Sequence, residues 1–428
     1  MNAIPVNYTV DGHKLSIINM ESKNVYIGGF IDNGGIHETR NNCGINHLLE
    51  HILADAWKKC NKQSCFLFWN KRPVISNAET HESFVKYYII GLHKELQTMM
   101  EYIFESILNP VITEKNVTDE TKIVLNELTG LIDSPSNQLL HKMSNIIYNK
   151  NGIINNSDYK LQITNLRNIK MKDLIDYYKR HYLPNNIVFY AVGKFSDKHI
   201  MQIRETFRNT VKNKLYPTIK KPQIYYDNVF TYKSQVLYHK NASAENTDFS
   251  ITIPLTIQHA EANALVILCR IIQMKLFDLL RLQKQLIYTV SVDNVRFYYG
   301  SELCIYGSCI DANIKPVLIE ILGWLHNLQN MSIEPEELTR EKEKNTLHMN
   351  NTKITPELIC DFYELQNHLQ STSTRKHLYT YQEDIQSIAN IKIQNIKKLQ
   401  KRILIKHAVI GYCSKLSANI QLSHITPK

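Results

Sequence analysis

The sequence lacks the compositional extremes that mark fibrous and disordered proteins. Its 428 residues include only 14 Gly and 12 Pro, while hydrophobic residues make up 43% and charged residues 21%. These values are close to those of an average globular chain, which excludes a collagen-like or disordered protein. At roughly 150 residues per domain, the length predicts two or three domains with sizeable cores.

Long apolar runs are also missing. No stretch approaches the ~18–20 residues that a helix needs to cross a bilayer. The opening segment, MNAIPVNYTVDGH, has no apolar signal core and none of the arginines that transit peptides carry. We therefore expect a soluble intracellular protein of the cytoplasm, with no signal peptide, no transmembrane segment and no membrane partner.

Cysteine is too sparse for a disulfide framework. The eight cysteines are dispersed along the chain, and no Cys-x-x-Cys pair occurs. Cys60 and Cys65 form the nearest pair that a metal or a disulfide would use. Since no second pair accompanies them, we expect free thiols in a reducing compartment rather than a zinc knuckle.

The chain carries an excess of positive charge. Its net charge of +10 comes from 50 Lys and Arg against 40 Asp and Glu. A basic chain can bind nucleic acid, but these lysines are scattered among Asn and Ile, and the densest basic stretch, 212–221, has the character of a linker. A nucleic-acid-binding protein is therefore an alternative, but the sequence contains no recognised nucleic-acid-binding module, so we expect no nucleic-acid partner.

The order of predicted elements divides the chain into two similar halves. In the first half, a hairpin that turns at Asp11-Gly12 and further strands surround a helix that begins near Gly44, with Asn41 and Asn42 as its expected caps. The second half repeats this order of strands and helices. Four residues have an identical residue 221 positions later: Leu183, Val188, Lys194 and Ser196.

This repetition predicts an α+β fold built from two duplicated domains. Each domain is expected to contain an antiparallel or mixed sheet packed with helices. We place the first domain at residues 1–215 and the second at residues 228–428. The stretch 216–227, which contains Pro and Lys, is predicted to join them.

The helix near Gly44 contains the motif His47-Leu-Leu-Glu50-His51. Histidines at i and i+4 lie on one helical face, where both imidazoles can reach one Zn²⁺ ion. The glutamate projects from nearly the same face and can act as a general base on a metal-bound water. Chance predicts roughly 0.03 occurrences of this inverted zincin order in such a sequence. The alternative is an amphipathic helix with surface histidines, which would hold charged groups beside the core.

A catalytic zinc ion needs a third protein ligand. Glu120 and Glu127 are candidates, because they lie seven residues apart on one predicted helix and therefore share a face. One carboxylate can bind the metal while the other hydrogen-bonds a ligating imidazole. Taken alone, the pair would be interpreted as solvated carboxylates on an exposed helix.

The order of these motifs resembles the pitrilysin/insulysin (insulinase) family of zinc peptidases. The chain is similar to the short two-domain type found in mitochondrial processing peptidase subunits. The resemblance rests on His47-x-x-Glu50-His51 followed after 75 residues by Glu127, with Glu120 seven residues before it. The segment from Gly34 to Thr39 also resembles the family's glycine–glutamate segment that leads into the zinc helix.

The resemblance implies roles for the residues of these motifs. His47, His51 and Glu127 would bind one Zn²⁺ ion per chain. Glu50 would be the catalytic residue that activates the water, and Glu120 would support the ligands.

Two further segments resemble the family's substrate elements. Asn77 and Ala78, in an Asn-Ala-x-Thr stretch, would lie beside the bound peptide. Arg281 and Tyr288, in the second half, would position the substrate and stabilise the oxyanion. The rim differs from the family, since Glu79 stands where an aromatic residue is common and a Lys-Gly-Thr-like turn after the zinc helix is missing. Subsite preference is therefore not carried over.

The resemblance also implies an assembly. Long members of the family join four such domains into two bowl-shaped halves of a clamshell, and this chain would supply one half. We therefore expect a homodimer, or a heterodimer with a related chain, acting as a zinc metalloendopeptidase on peptides or unfolded chains. The alternative is a non-catalytic or partner subunit of the same fold in a heteromeric peptidase or a larger assembly.

Overall fold

The computed structural model describes residues 3–60, 64–148, 158–212, 229–258, 261–297, 300–351, 353–372, 379–415 and 420–425. These residues belong to two units. The first unit takes in the described parts of Met1–Gly130, Asn155–Tyr225 and Ile354–Gln382, and the second takes in those of Leu131–Ile154, Tyr226–Lys353 and Glu383–Lys428. The predicted linker 216–227 lies outside the described residues, so the domain boundaries at 215 and 228 stay a prediction.

The first unit contains a six-stranded sheet. Its strands are β1 (Pro5–Val10), β2 (His13–Asn19), β3 (Val25–Ile31), β4 (Val74–Thr80), β5 (Val85–Gly91) and β6 (Ile187–Gly193). They lie in the order β1-β2-β6-β3-β5-β4, and only β2 and β6 are parallel neighbours. The predicted hairpin joins β1 to β2, and its turn residues, Asp11 and Gly12, have φ angles of 48° and 80°, as a two-residue hairpin turn requires.

The second unit repeats five of these strands. They are β7 (Gln235–Lys240), β8 (Thr247–Leu255), β9 (Thr289–Phe297), β10 (Gly300–Cys309) and β11 (Val409–Ser414). Their order, β7-β11-β8-β10-β9, matches β2-β6-β3-β5-β4, and the parallel pair, β7 with β11, falls at the same place. This agreement confirms the predicted α+β fold with duplicated sheets.

Helices pack on both sheets. In chain order they are α1 (Ile45–Ala54), α2 (Cys65–Trp69), α3 (Leu96–Leu108), α4 (Glu114–Asp133), α5 (Pro135–Ile147), α6 (Tyr159–Asn168), α7 (Met171–His181), α8 (Asp197–Val211), α9 (Ala262–Phe277), α10 (Ile314–Asn327), α11 (Pro335–Asn351), α12 (Pro356–Thr372), α13 (Tyr381–Ala389) and α14 (Ile393–Gln400). A π-helical turn (Asp278–Gln283) continues α9. The sequence pattern did not predict α2, α6 or β7. Among these, α2 is too short to show a helical period.

The first sheet has helices on both faces. Side chains of β3 alternate between the two faces, so that Gly29 approaches Ile107 of α3 on one side. On the other side, Tyr26 and Phe30 share a buried cluster with Tyr363 of α12. Helix α1 contacts β4, β5 and α3. The predicted zinc helix therefore lies against the edge of the sheet that β4 forms.

Each unit is completed by a helix from the other half of the chain. Helix α5 precedes the second half in sequence but packs on β7 and β11. Helix α12 comes from the second half and packs on β3 and β6. The two helices begin at Pro135 and Pro356, which differ by the same 221 positions as the four sequence identities. The two halves therefore also correspond in the helix that each contributes to the other unit.

The structure corrects one prediction about cysteine. Cys60 and Cys65 are joined by a disulfide rather than present as free thiols. Their Cα atoms lie 5.1 Å apart, within the range that a bridge requires. Trp57 precedes the pair and Trp69 follows it, and these two side chains stack on each other, so the segments on either side of the bridge lie together. The six other cysteines are free, as expected. Among the described residues, no helix is both long and apolar enough to cross a membrane.

The approach of Gly34 to the β4–β5 turn provides a test of the packing. A Cβ atom on Gly34 would lie 2.4 Å from the backbone nitrogen of Phe84 and 2.5 Å from the carbonyl oxygen of His81. Backbone atoms at this distance have to move, so we expect Gly34→Ala to lower the free energy of unfolding by about 2 kcal/mol or more in urea titrations.

Gly130→Ala in α4 is the matched control, since nothing lies within 4 Å of a Cβ atom there. It should raise the free energy of unfolding by up to about 1 kcal/mol, because alanine is the better helix former. Equal effects of the two substitutions would contradict the close approach at Gly34.

Candidate metal centre

Burial on one side determines how α1 presents its polar residues. Five apolar side chains at helical spacing are buried against the sheet and α3: Ile45, Leu48, Leu49, Ile52 and Leu53. The opposite side of the helix carries His47 and His51, which are only partly buried. The sequence thus places both imidazoles, partly buried, on the side of the helix that faces away from the core.

The start of α1 is held by a carboxylate from the preceding loop. Glu38 accepts hydrogen bonds from the backbone N–H groups of Gly44 at 2.7 Å and Asn46 at 2.8 Å. The expected caps, Asn41 and Asn42, are therefore wrong; Asn42 instead accepts a hydrogen bond from Thr39. Burial raises the pKa of Glu38 to about 7, although both N–H bonds favour its charged form.

Three potential ligand atoms from two helices meet beside α1. Nε2 of His47 lies 3.5 Å from Oε2 of Glu127, and Nε2 of His51 lies 3.6 Å from the same oxygen. Ligand atoms of the three residues all fall within 4.8 Å of one another. Around a tetrahedral zinc ion with bonds of about 2.0–2.1 Å, neighbouring ligand atoms are about 3.3 Å apart. The three side chains therefore fit a zinc ion with little movement.

Glu120 determines which nitrogen of His51 faces the cluster. Its Oε2 lies 3.2 Å from Nδ1 of His51, and a carboxylate can only accept there, so Nδ1 carries the proton. In the neutral form of the ring, Nε2 then keeps the lone pair and faces Glu127. Of the two carboxylates on α4, Glu120 therefore contacts the Nδ1 side of the His51 ring, and Glu127 faces Nε2 of both His47 and His51.

Burial keeps His47 in the form that binds a metal. Its surroundings, and secondarily the charge of His51, lower the pKa of His47 to about 4. The ring is therefore neutral at pH 7 and its nitrogen is available as a ligand.

Glu50 lies on the same side of α1 as His47 and His51 and is almost completely buried. Burial raises the pKa of its carboxyl group, while a hydrogen bond from Oγ1 of Thr80, 2.7 Å from Oε2 of Glu50, opposes that rise. Sequence reasoning gave Thr80 no role. The alternation along β4 was an available signal, because Thr80 and Ala78 lie on the same side of that strand.

The predicted substrate residues of the first half lie on the edge strand β4. Asn77 and Ala78 pair with Tyr88 and Tyr87 of β5, and the other side of β4 has no strand neighbour in the described sheet. The side chain of Asn77 donates to the hydroxyl of Tyr88 at 3.2 Å. Glu79, which stands where the family commonly has an aromatic residue, accepts a hydrogen bond from the same hydroxyl at 3.0 Å. Its side chain therefore contacts the neighbouring strand β5.

Arg281 and Tyr288 belong to the second unit. Arg281 lies in the π-helical turn after α9, and its Nη1 donates to the carbonyl oxygen of Ile287 at 2.8 Å. Tyr288 directly precedes β9, and its side chain is exposed. The two residues are therefore neighbours at one end of the second sheet.

Two family profiles match the chain. Residues 15–157 match the family described as Insulinase (Peptidase family M16), and residues 168–345 match the one described as Peptidase M16 inactive domain. The first match contains every residue of the cluster on α1 and α4. Together the two cover about three quarters of the chain.

Individual relatives are distant but consistent. The mitochondrial-processing peptidase subunit beta of Bos taurus is 24% identical over 177 residues, 41% of this chain and 36% of that protein, so the match spans about a third of that relative. The uncharacterized zinc protease YmxG of Bacillus subtilis is 21% identical over 328 residues, 75% of this chain and 77% of that protein. A protease structure from Helicobacter pylori aligns with a TM-score of 0.81 at 15% identity, over 96% of this chain and 99% of that one, which shows the fold.

The buried Glu38 predicts a specific dependence of stability on pH. Its pKa is higher in the folded chain, about 7, than its ordinary value of 4.5. Its contribution to stability is therefore full below about 4.5 and is lost as the pH rises through about 7. Over that window we expect the unfolding free energy of the wild type to fall by about 3 kcal/mol more than that of Glu38→Gln.

Urea unfolding of both proteins at a series of pH values checks this difference. In Glu38→Gln the side chain at position 38 no longer titrates, so the variant gives the pH dependence that all other ionisable groups contribute to the wild type. Parallel curves for the two proteins would mean that burial does not raise the pKa of Glu38.

Proposed function

Because the chain belongs to the insulinase family, peptidase family M16, we propose that it is a zinc metalloendopeptidase. Its substrates are peptides or unfolded chains, whose backbones can enter an edge-strand site. The observation that carries the proposal is the meeting of ligand atoms from His47, His51 and Glu127 beside the buried carboxylate of Glu50.

The ligand set supports one zinc ion per chain. Two imidazole nitrogens and one carboxylate, with a fourth position open, form the donor set of catalytic rather than structural zinc sites. A bound zinc ion supplies Lewis acidity, which makes a water molecule more acidic and polarises a carbonyl group. Glu120 keeps Nδ1 of His51 protonated, which orients the ring and increases the basicity of its Nε2.

Glu50 moves the proton. Its carboxylate accepts a proton from the attacking water and later delivers it to the departing amine. The raised pKa of Glu50 brings its acid and base forms closer in energy, which suits a group that has to do both. Thr80 binds one oxygen of this carboxylate and leaves the other for the transferred proton.

The edge strand β4 suits an extended substrate. A peptide can add as a further strand beside Asn77 and Ala78, since backbone groups on that side of β4 have no strand partner in the described sheet. Arg281 and Tyr288 would position the substrate and stabilise the developing oxyanion.

We further propose that the active form is a dimer, either of two copies or with a related chain. One subunit would contribute the zinc site, and Arg281 and Tyr288 would come from its partner. The relative from Bos taurus is itself named as a subunit, which supports this assembly.

The substitution Glu50→Gln tests the role of the general base independently of zinc binding. We expect it to lower peptide cleavage at least about a thousandfold, because the proton acceptor is lost, while the purified protein retains one zinc ion per chain. Elemental analysis and cleavage of a mixed peptide library measure the two properties on the same preparation.

His47→Ala is the matched control, since it removes a ligand from the same helix face and should lose both zinc and activity. Cleavage by zinc-loaded Glu50→Gln would contradict the role of Glu50. A wild-type protein that binds zinc but cleaves no peptide, alone or with a related chain, would instead support the non-catalytic subunit.

A composite active site predicts complementation. Glu50→Gln and Arg281→Ala subunits should each be inactive as homodimers, yet a mixture should regain roughly a quarter to a half of the wild-type activity, because each mixed dimer holds one intact site. Mixed dimers isolated with two affinity tags provide the measurement. Absence of activity in verified mixed dimers would contradict a site shared between subunits.

A further inference from the structure

The duplication assigns a counterpart to the metal centre in the second unit. Residues of β6 and β11 correspond at the shift of 221, and the strand pairings carry that correspondence across both sheets to the edge strands β4 and β9. This register matches Glu79 with Asp293 and Tyr88 with Tyr306. An independent contact agrees, because Tyr88 donates to Glu79 at 3.0 Å and Tyr306 donates to Asp293 at 2.5 Å.

The helices extend the correspondence to the ligands. Glu120 lies six residues after the start of α4, and Glu341 lies six residues after the start of α11. Glu120 contacts His51, and Oε2 of Glu341 lies 3.7 Å from Nε of Arg270 on α9. The positions that correspond to His47, Glu50 and Glu127 are then Val266, Cys269 and His348.

The second unit therefore has a cleft at the corresponding position but lacks the zinc ligands. Valine has no donor atom, and an arginine side chain has no lone pair to offer a metal. A cleft of about 280 Å³ remains between α9, β9 and α11, lined by Val266, Cys269, Arg270, Asp293, Glu341 and Lys344 among others. Its position next to an edge strand is that of the metal centre in the first unit.

Glu341, one of the two carboxylates that line this cleft, has more cations around it than its single charge balances. Glu341 is 1% exposed, and three cations surround it: Lys344 at 3.0 Å, Arg340 at 3.4 Å and Arg270 at 3.7 Å. Nε of Arg270 is buried and has no hydrogen-bond acceptor among the described residues. A buried donor without an acceptor is costly, and an anionic oxygen in the cleft would satisfy it.

We propose that this cleft binds the carboxylate group of a ligand about the size of an amino acid or dipeptide, held by Arg270 and Lys344. The guanidinium presents a planar fork that matches a carboxylate, and the ammonium group adds a second charge-assisted contact. A singly charged ligand fits better than a dianion, because Asp293 lines the same cleft. The proposal is independent of peptidase activity.

The ligand would be recognised by side chains rather than by strand addition at this point of β9. The backbone N–H of Val292, in the middle of the cleft wall, already donates to Oε1 of Gln273 at 3.1 Å. A peptide backbone that paired here would have to displace that amide. The volume of the cleft is also that of a small ligand rather than of a long chain.

Titration of the zinc-loaded wild type with N-acetylalanine and with N-acetylalanine amide tests the proposal. We expect N-acetylalanine to bind with a dissociation constant of about 1 mM and N-acetylalanine amide to bind about tenfold more weakly or worse. Hydrogen–deuterium exchange should slow in 266–274 and in β9 when the acid is added. Equal binding of acid and amide, or protection elsewhere alone, would overturn the proposal.

Variants separate this cleft from the metal centre. Arg270→Gln combined with Lys344→Gln should weaken binding of the acid at least about tenfold, whereas His47→Ala should leave it unchanged. The opposite pattern would place the carboxylate on the zinc ion and refute the assignment. If the double variant does not fold, the exchange pattern of the wild type decides the question alone.

Discussion

The contact between Glu120 and His51 is the interaction on which the candidate site depends. It joins α4 to α1 and turns one imidazole so that its second nitrogen faces Glu127, two helical turns further along α4. The rest of the arrangement follows from ordinary helix geometry, since i and i+4 place His47 beside His51. Burial of the apolar side of α1 and the carboxylate of Glu38 at its start hold the helix itself.

Local geometry explains which parts of this site were predictable from the sequence. His47, Glu50 and His51 share a helix face by spacing alone. Glu127 could be named as a candidate third ligand, but its contact with the histidines depends on how α4 packs against α1, which spacing does not determine. The cap by Glu38 was missed because a loop residue reaches the helix start from six positions away. The Cys60–Cys65 bridge was missed because two cysteines without a second pair gave no signal of a disulfide. An amphipathic pattern predicts that α5 and α12 are buried, but not on which sheet.

Duplication placed different side chains at corresponding positions of the two units. Both units keep a helix, an edge strand and a second helix at this place in the fold, and the tyrosine–carboxylate contact at the edge persists in each. The chemistry changed through three positions of one helix, where His47, Glu50 and His51 correspond to Val266, Cys269 and Arg270. A glutamate of the second helix is retained in both units, partly buried as Glu120 and buried as Glu341. It faces an imidazole in the first unit and a guanidinium in the second.

X-ray absorption at the zinc K-edge of the stoichiometrically loaded protein tests the ligand set most directly. The account predicts one zinc ion with two imidazole nitrogens and one or two carboxylate or water oxygens at about 2.0–2.1 Å, and no sulfur. A spectrum that requires thiolate ligands, or that contains fewer than two imidazoles, would contradict it.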